Sequence, residues 1–430
     1  MTDNERDSLH FAWRESTRKF LESLHNLQLL ESEQHGQNAL RIAKSHESFR
    51  GEPLIMSLLN LASARDQAGD LDGAEQLFLE AIMHSKESPH QDAVLLGNLY
   101  ISWSQCLDAR GKHKEAYEYL QEGVRLLVGS EDPDCKMSAS RALCAMGNAC
   151  RDRNLLSDAE ECFRSAIEIL ETSHGPSSLD LCHVYSFLAD IYARTGDRAS
   201  AVYFIGTALN RAHDLVGDLH RIAPQLLTRS AKIQSRFGNR TEALESLTIA
   251  YSLWGHLGLS HHPECLETLI EFGGAELAAG NVLEAKWCFV EVLESLKKCG
   301  NDVSALAARA WRGRCWVERE LKNAPAEYDC ARTVCTIIRQ VAGTDAPCLV
   351  GDFTAVGEAI LRLSNPDLKL AFGVFNEALN RAKSIRGDSD AALLPPLCGL
   401  AATLERLGHR DAHEEILVEI KRLRGLFGMK

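Results

Sequence analysis

Two adjacent histidines followed by a cysteine are spaced closely enough to bind a metal ion or to act together in catalysis. His261, His262 and Cys265 stand near one another, and Glu264 lies between them. Such side chains bind zinc, but a structural zinc site needs a second ligand pair at a defined spacing, and none follows. Pro263 comes directly after His262, which is typical of a turn. We therefore predict a turn here, and we expect no metal and no cofactor.

The chain has 14 cysteines, which raises the question of disulfides or catalysis. No two of them form a Cys-x-x-Cys pair, and most fall in apolar helical stretches, as do Cys150, Cys162, Cys288 and Cys398. We predict small buried hydrophobic residues in a reducing compartment. Motifs for a nucleophilic serine, a phosphate loop, a dinucleotide site or a zinc protease are missing. We expect no catalytic residues, and we expect that the protein is not an enzyme.

Composition and charge exclude several further classes of protein. The 430 residues include 47 Lys and Arg against 60 Asp and Glu, a net charge of −13, and 45% are hydrophobic. These values are ordinary for a folded protein and exclude disorder for most of the chain. We find no secretory signal pattern, no membrane-length apolar run and no basic run. We expect a cytoplasmic protein that binds neither membrane nor nucleic acid.

A short phrase recurs along nearly the whole chain. It reads Gly-Asp-Leu-Asp-Gly-Ala at Gly69, Gly-Asp-Arg-Ala-Ser-Ala at Gly196 and Gly-Asn-Arg-Thr-Glu-Ala at Gly238. A tenth, degraded copy fits before Gly69. Such spacing indicates an array of equivalent units. Steps of 41 to 45 residues separate the landmark residues of the nine copies: Gly69, Gly111, Asn154, Gly196, Gly238, Gly280, Leu321, Pro366 and Gly408.

Each unit has the pattern of two helices that meet at the landmark residue. Apolar residues recur at helical spacing over about 14 residues before it, and Gly suits the left-handed conformation that ends a helix. The second helix carries a small, a large and again a small residue, which in the copy at Gly196 are Ala201, Ile205 and Ala208. This alternation lets the helices pack closely, and stacking of units covers the remaining apolar face.

This pattern resembles the tetratricopeptide repeat. In the copy at Gly196, Ala189 and Tyr192 stand at the small and tyrosine positions of that family. The period is 42 residues instead of the usual ~34. The additional residues form connectors such as Gly258-Leu-Ser-His-His-Pro-Glu-Cys265, similar to those of kinesin-light-chain-like repeats. The resemblance implies an all-α fold, a right-handed α-solenoid (superhelix) of about nine to ten helix-turn-helix repeats.

The repeats divide the chain into three stretches. We expect N-terminal capping helices and a degenerate repeat in residues 1–50, and an array of about seven repeats in residues 51–340. C-terminal repeats and a capping helix are expected in residues 341–430, continuous with the array. The 45-residue step before Pro366 and the phrase Ala342-Gly-Thr-Asp-Ala-Pro-Cys348 predict an irregular joint there.

In the family that these repeats resemble, the first helix of each pair lines a concave groove. Counting 13, 10, 9, 6, 3 and 2 residues back from Asn154, Gly196 and Gly238 gives six basic and two acidic side chains. A basic groove in an acidic protein favours an anionic ligand, because Arg forms paired hydrogen bonds with carboxylates. The predicted partner-binding residues are Arg141, Asn148, Arg151, His183, Asp190, Arg194, Arg229, Lys232 and Arg236, together with Trp311 and Arg312 of the seventh repeat.

Other interpretations of these residues remain open. The helix dipole alone favours cations at Arg151, Arg194 and Arg236, which lie near predicted helix C-termini. The Lys and Asn of carboxylate-clamp repeats are not reproduced, so we do not expect binding of a chaperone C-terminal tail. The asparagine row of the kinesin-light-chain groove keeps only Asn60, so peptide specificity does not carry over.

Two functions are consistent with these observations. The first is a non-enzymatic scaffold or adaptor that binds a peptide segment or partner protein, with an acidic one favoured. The second is a regulatory sensor that binds a peptide or small ligand and controls an effector in trans, since we recognise no effector domain on this chain. The sequence leaves the partner, the face that binds it and the oligomeric state open.

Overall fold

The computed structural model describes residues 3–25, 29–68, 70–87, 92–110, 112–128, 133–174, 178–343, 346 and 348–428. Within these ranges the chain forms 20 α-helices and no strand. They are α1 (Asp3–His25), α2 (Leu29–Ser45), α3 (Glu52–Gln67), α4 (Leu71–Glu87), α5 (Ala93–Ala109), α6 (His113–Val128), α7 (Pro133–Asp152), α8 (Leu156–His174), α9 (Leu179–Thr195), α10 (Arg198–Val216), α11 (Ile222–Arg236), α12 (Arg240–His256), α13 (Pro263–Ala279), α14 (Val282–Lys298), α15 (Ala305–Glu320), α16 (Ala324–Ala342), α17 (Leu349–Arg362), α18 (Leu368–Arg386), α19 (Leu394–Leu407) and α20 (Arg410–Leu426).

The chain forms two compact units. Unit 1 comprises residues 1–280 and 294–302, and unit 2 comprises residues 281–293 and 303–430. In unit 1, α1 to α12 pack as six successive helix pairs, and each odd-numbered helix from α3 to α11 also contacts the next odd-numbered helix. In unit 2, α15 to α20 form three such pairs. The predicted all-α array of helix-turn-helix repeats is confirmed.

The alternation of small and large residues in the second helices is confirmed by their burial. The small residue that follows the landmark is at most 3% exposed in each of six repeats, as at Ala201 and Ala243. The large residue is at most 5% exposed, as at Phe163. A Cβ atom at Gly147 would lie 2.7 Å from the Phe163 ring, so the two helices of this pair approach too closely for any larger residue.

Five described landmark residues follow the first helices in the left-handed conformation, as predicted, whereas α17 ends at Arg362, four residues before Pro366. Gly196, Gly280 and Gly408 cap α9, α13 and α19 in the left-handed conformation, and Asn154 adopts a φ of 62° after α7. In the seventh repeat the prediction of Leu321 is wrong by one residue, because Lys322 has the positive φ of 56°. This correction restores a step of 42 residues from Gly280. Gly69 and Gly111 lie outside the described residues, as do parts of the connectors at 129–132 and 175–177.

The cysteines are mostly packing residues, as predicted. Ten of the 14 are buried, among them Cys150, Cys162 and Cys288. Cys398 was expected in the core and is exposed, because it lies on the outward side of α19. Of its two neighbours in the sequence, Leu397 is buried and Gly399 packs against the Phe375 ring.

The termini and connectors agree with the sequence in outline. The predicted helices before residue 50 are α1 and α2, and the C-terminal amphipathic helix is α20. The histidine–proline segment forms the predicted turn, in which His262 caps the start of α13. No helix in the described ranges has the length and apolar character needed to cross a membrane. The stretch boundaries at residues 51 and 341 stay predictions.

Candidate functional site

A groove of about 940 Å³ lies on the face of unit 1 that the odd-numbered helices form. It is lined by four successive first helices and one residue of α12. The lining residues are Asn148 and Arg151 of α7; His183, Phe187, Asp190 and Arg194 of α9; Gln225, Thr228, Arg229, Ala231, Lys232, Ser235 and Arg236 of α11; Leu247 of α12; and Glu264, Glu267, Thr268, Glu271, Gly274, Ala275 and Ala278 of α13.

One side of the groove holds what we call the Asp190 cluster, formed by Arg151, Asp190, Arg194 and Arg236. The Asp190 carboxylate lies 3.0 Å from Nε of Arg194 and 3.8 Å from Nε of both Arg151 and Arg236. One carboxylate thus faces three guanidinium groups, which come from α7, α9 and α11, the first helices of three successive repeats. Arg151 also contacts Asp152 at 3.0 Å. The cluster keeps a positive excess, which favours an anion in the adjacent groove.

Arg229 differs from the other cations of the groove because no carboxylate binds it. Within the described chain its guanidinium carbon instead lies 4.1 Å from the centre of the Phe187 ring. This cation–π contact fixes the plane of the guanidinium and leaves its donors to the groove. Burial lowers the pKa of Arg229 to about 10, partly offset by Glu267. A half-buried cation without a partner costs folding free energy, and such sites are often functional.

Three buried polar atoms of the lining residues make no hydrogen bond. They are Oδ1 of Asn148, Oε1 of Gln225 and Oε2 of Glu264. Buried polar atoms in proteins are nearly always hydrogen-bonded, and an unsatisfied one costs about 1–3 kcal/mol. Together with Arg229 they place an unpaired cation and three unsatisfied acceptors in one groove. A ligand that paired with these groups would need a carboxylate for Arg229 and hydrogen-bond donors for the three acceptors.

The charges of Arg229 and Glu264 act on the pKa of His183, which also lines the groove. It is half-buried on α9, and burial, with the positive charge of Arg229, lowers its pKa below the usual 6.5. Asp180 and Glu264 act in the opposite direction. His183 is therefore neutral near pH 7, and an anion bound near Arg229 would raise its pKa.

The opposite side of the groove is acidic. Glu267 and Glu271 of α13 lie 2.9 and 3.2 Å from Nζ of Lys232, and Glu264 lies one turn earlier on the same helix. The described lining therefore contains five Lys or Arg side chains and four carboxylates. The predicted balance of six basic to two acidic residues does not hold for the groove as a whole, because α13 contributes three glutamates. Most of the cations instead lie on one side and most of the carboxylates on the other, with Asp190 among the arginines and Lys232 between two glutamates.

A buried hydrogen-bond chain fixes α13 against α11 beneath the groove. The hydroxyls of Thr228 and Thr268 are 2.9 Å apart, and the indole N–H of Trp254 donates to Thr268 at 3.0 Å. Trp254 is fully buried and stacks on His262, whose Nδ1 accepts the backbone N–H of Glu264. These contacts set the positions of Arg229 and Glu264, the immediate neighbours of this chain of side chains.

Eight of the eleven residues predicted to bind a partner line this groove. Arg141 lies exposed on α7, outside the lining residues. Trp311 and Arg312 lie on α15 in unit 2. Arg312 is not free there, because its Nε and an η nitrogen each bind an Asp352 oxygen at 2.7 Å. That bidentate pair raises the pKa of Arg312 and joins α15 to α17.

Unit 2 contains a second group of arginines, here called the Glu327 cluster and formed by Arg319, Glu327, Glu358 and Arg362. Glu327 is 1% exposed and accepts from Arg319 at 2.8 Å and from Arg362 at 2.7 Å. Glu358 accepts from the same two arginines at 3.0 and 3.1 Å. Two cations meet two carboxylates, so the cluster is balanced. Its contacts join α15, α16 and α17.

The acidic residues of α13 were missed because the groove positions were counted from three landmarks only. The same six offsets counted back from Gly280 give four residues that line the groove, Glu267, Glu271, Gly274 and Ala278, and two that do not, Ile270 and Leu277. Glu264 lies 16 residues before Gly280 and follows no offset. Among the described residues no group of three His, Cys, Asp or Glu side chains is arranged to hold a metal ion.

Comparison with known proteins agrees with this architecture. Residues 138–213, from within α7 into α10, match the sequence model of a tetratricopeptide repeat family. The chain contains tetratricopeptide repeats. It also matches protein kinesin light chain-related 3 of Arabidopsis thaliana, with 24% identity over 212 residues, 49% of this chain and 32% of that protein. Kinesin light chain-related 2 of the same plant is 25% identical over 50% of this chain and 33% of its own length. The chain thus spans about a third of the length of these curated relatives.

Two solved structures of tetratricopeptide type show the same fold. A Rap protein complexed with competence and sporulation factor superimposes with a TM-score of 0.53 at 9% identity, covering 97% of this chain and 99% of that chain. A signal transduction ATPase with numerous domains from Pyrococcus horikoshii, which has a tetratricopeptide repeat sensor, gives a TM-score of 0.54 at 14% identity. That match covers 84% of this chain and 53% of the other.

Proposed function

We propose that this protein is a non-enzymatic interaction scaffold whose groove in unit 1 binds an extended peptide segment with a carboxylate at Arg229. The observation that carries the proposal is the unpaired Arg229 guanidinium, stacked on Phe187 and facing the groove. The partner is a protein or peptide, and the carboxylate is an acidic side chain or a C-terminus. A repeat array suits this role, since many modest contacts along one face hold an extended segment.

The charge distribution supports a carboxylate at this position. In the Asp190 cluster one carboxylate faces three arginines and Asp152 contacts one of them, so the side of the groove next to Arg229 has an excess of positive charge. A planar guanidinium binds a carboxylate through two parallel hydrogen bonds. A ligand carboxylate would therefore pair with Arg229 and reduce the repulsion among its basic neighbours.

The unsatisfied amides support an extended backbone as the rest of the ligand. Asn148 and Gln225 lie on α7 and α11, on the two helices that flank α9. Each side-chain amide carries a donor and an acceptor, which matches the peptide group. A peptide that crosses α9 would thus find an amide partner on either side of Arg229 and Phe187. Small molecules with a single carboxylate would leave these amides unsatisfied.

Selection from a displayed library of random 12-residue peptides tests this proposal. The full chain is immobilised, and enriched peptides are compared between the wild type and the variant Arg194→Glu/Arg229→Glu/Arg236→Glu. We expect the wild type to enrich peptides with Asp, Glu or a free C-terminal carboxylate, and the variant to lose them. The affinity of single peptides is then measured by fluorescence anisotropy, with Arg229→Gln expected to weaken binding about 30-fold.

The matched control is Arg125→Glu/Arg164→Glu/Arg332→Glu, which changes the net charge equally. These three arginines are 69%, 57% and 67% exposed and lie on second helices, away from the groove. Equal enrichment by the wild type and both variants would contradict the proposal. Loss in the control variant as well would assign the effect to net charge.

A sensor function is the alternative. In that case the bound segment would change the conformation of the array and so control an effector in trans. Small-angle scattering distinguishes the two, because a scaffold keeps its dimensions on addition of a selected peptide and a sensor becomes more compact. For both functions, the cytoplasmic location of this protein stays a prediction.

A further inference from the structure

We infer that the groove has a second subsite at Glu264, which takes a cationic group, so that the ligand is a dipolar peptide. Its acidic group binds Arg229, and a Lys or Arg side chain of the same segment binds Glu264. This inference rests on the proposed function, because it specifies the ligand of the same groove. It adds a requirement for positive charge that the arginine cluster by itself does not suggest.

The first observation is the state of the Glu264 carboxylate. Its Oε2 is buried and accepts no hydrogen bond, although the residue lines the groove. His262 Nδ1 lies 3.5 Å from Oε2, but that nitrogen accepts the backbone N–H of Glu264 at 3.4 Å. A ring nitrogen that acts as an acceptor cannot donate to the carboxylate. Oε2 therefore has no donor in the described chain, while the side chain as a whole is 40% exposed and presents its carboxylate to the groove.

The second observation is the count of charges around Glu264. Glu267 and Glu271 both bind the amine of Lys232, and with Glu264 they bring three carboxylates of α13 to this side of the groove. In the Asp190 cluster, by contrast, three arginines face Asp190. Carboxylates are therefore concentrated on one side of the groove and arginines on the other. A ligand with one sign of charge would match one side and be repelled by the other.

The third observation is that Arg229 and Glu264 act on each other only through space and form no direct ion pair. They lie on the neighbouring helices α11 and α13, locked together through Thr228 and Thr268, and no ion pair joins them. Axes of packed helices are about 8–10 Å apart. Side chains two residues apart on one face of an extended peptide are separated by about 7 Å. An acidic and a basic residue at that spacing would reach both groups.

Peptide selection with variants of Glu264 tests the second subsite. The full chain is used as the wild type, as Glu264→Gln and as Glu264→Lys, with the displayed random 12-residue library as the probe. We expect wild-type peptides to carry Lys or Arg at a fixed distance of about two residues from the acidic position. Glu264→Gln should keep the acidic position and lose the basic one, and Glu264→Lys should select a second acidic residue there.

The affinities of one selected peptide and its Lys-to-Gln analogue give the quantitative test. The Lys-containing peptide should bind Glu264→Gln about tenfold more weakly than the wild type, while the analogue should bind both proteins equally. Glu242→Gln is the matched control, because Glu242 also lies in the first turn of a helix and is exposed outside the groove. It should leave both affinities unchanged.

The two proposals fail in different ways. Enriched acidic peptides that depend on Arg229 but show no basic position, or a basic position that Glu264→Gln leaves unchanged, would overturn the second subsite and leave the proposed function intact. Failure to enrich any peptide that depends on Arg229 would overturn both.

Discussion

The two arginine clusters of this protein both combine arginines with carboxylates, and they differ in the balance of charge and in the burial of the shared carboxylate. In the Glu327 cluster of unit 2, two arginines meet two glutamates, and Glu327 is 1% exposed. In the Asp190 cluster of unit 1, three arginines share one aspartate that is 20% exposed and lines a groove. A balanced, buried cluster joins helices, whereas an unbalanced cluster at a groove retains charge for a ligand. An arginine-rich helix face is therefore not by itself a sign of binding.

The largest effect is expected for Glu327→Gln. The substitution leaves Arg319 and Arg362 without their shared buried partner, and removal of one member of such a pair costs about 3–5 kcal/mol. We expect the free energy of unfolding of unit 2 to fall by about 3 kcal/mol, as measured by urea denaturation followed by circular dichroism. Peptide binding in unit 1 should stay unchanged. Glu377→Gln is the control, because it breaks an exposed pair with Arg381 and should cost less than about 1 kcal/mol.

Arg229→Gln should have the opposite profile. Since Arg229 is a half-buried cation without a carboxylate partner, its removal should leave stability unchanged or raise it by about 1 kcal/mol. Binding of a selected acidic peptide should weaken by about 2 kcal/mol. Thermal denaturation and fluorescence anisotropy on the same preparation measure both. A variant that unfolds more easily and binds normally would place Arg229 among the structural residues.

A smaller effect in the favourable direction is expected for Asp190→Asn. The aspartate competes with a ligand carboxylate for the same arginines, so its neutralisation should tighten binding of an acidic peptide by about 1 kcal/mol. Stability should fall only slightly, because the three arginines are partly exposed. Weaker binding after this substitution would show that Asp190 mainly positions Arg194 and its neighbours.

The smallest effect is a dependence of binding on pH through His183. Burial and Arg229 lower the pKa of His183 in the free protein, and a bound carboxylate raises it. Binding therefore takes up a proton, and affinity for an acidic peptide should rise a few-fold as the pH falls from about 8 to about 5.5. His183→Gln should remove this dependence in isothermal titration at several pH values. The same slope in the variant would assign the proton to another group.

Much of the fold followed from the sequence because it depends on neighbours within one unit. Gly196 ends α9 in the left-handed conformation, and Ala201 and Ile205 of the next helix are buried as their spacing predicts. The error of one residue at Lys322 arose because that copy has neither the glycine nor the asparagine that favours the left-handed conformation. A short-range pattern defines a helix end only where the residue that favours it is present.

Less of the candidate site than of the fold could be predicted from the sequence. Offsets from the landmark residues placed Asp190 and Arg229 in the groove correctly, because a repeat fixes which face a residue occupies. The same offsets could not show that Arg312 is held by Asp352, which lies 40 residues further along the chain. They also could not show that Nδ1 of His262, the ring nitrogen nearest the Glu264 carboxylate, accepts a hydrogen bond from the backbone N–H of Glu264.

The sequence by itself determined the repeat, the helix pairs and the residues that pack between them, because each depends on contacts spaced by a few residues or by one period. Tertiary structure decided which charges are paired between helices. Arg229 lies over Phe187 of the preceding repeat, and Lys232 binds glutamates of the following one. Whether a side chain finds a partner depends on positions about 40 residues away in the chain, and a charge left unpaired in this way is what a ligand can bind.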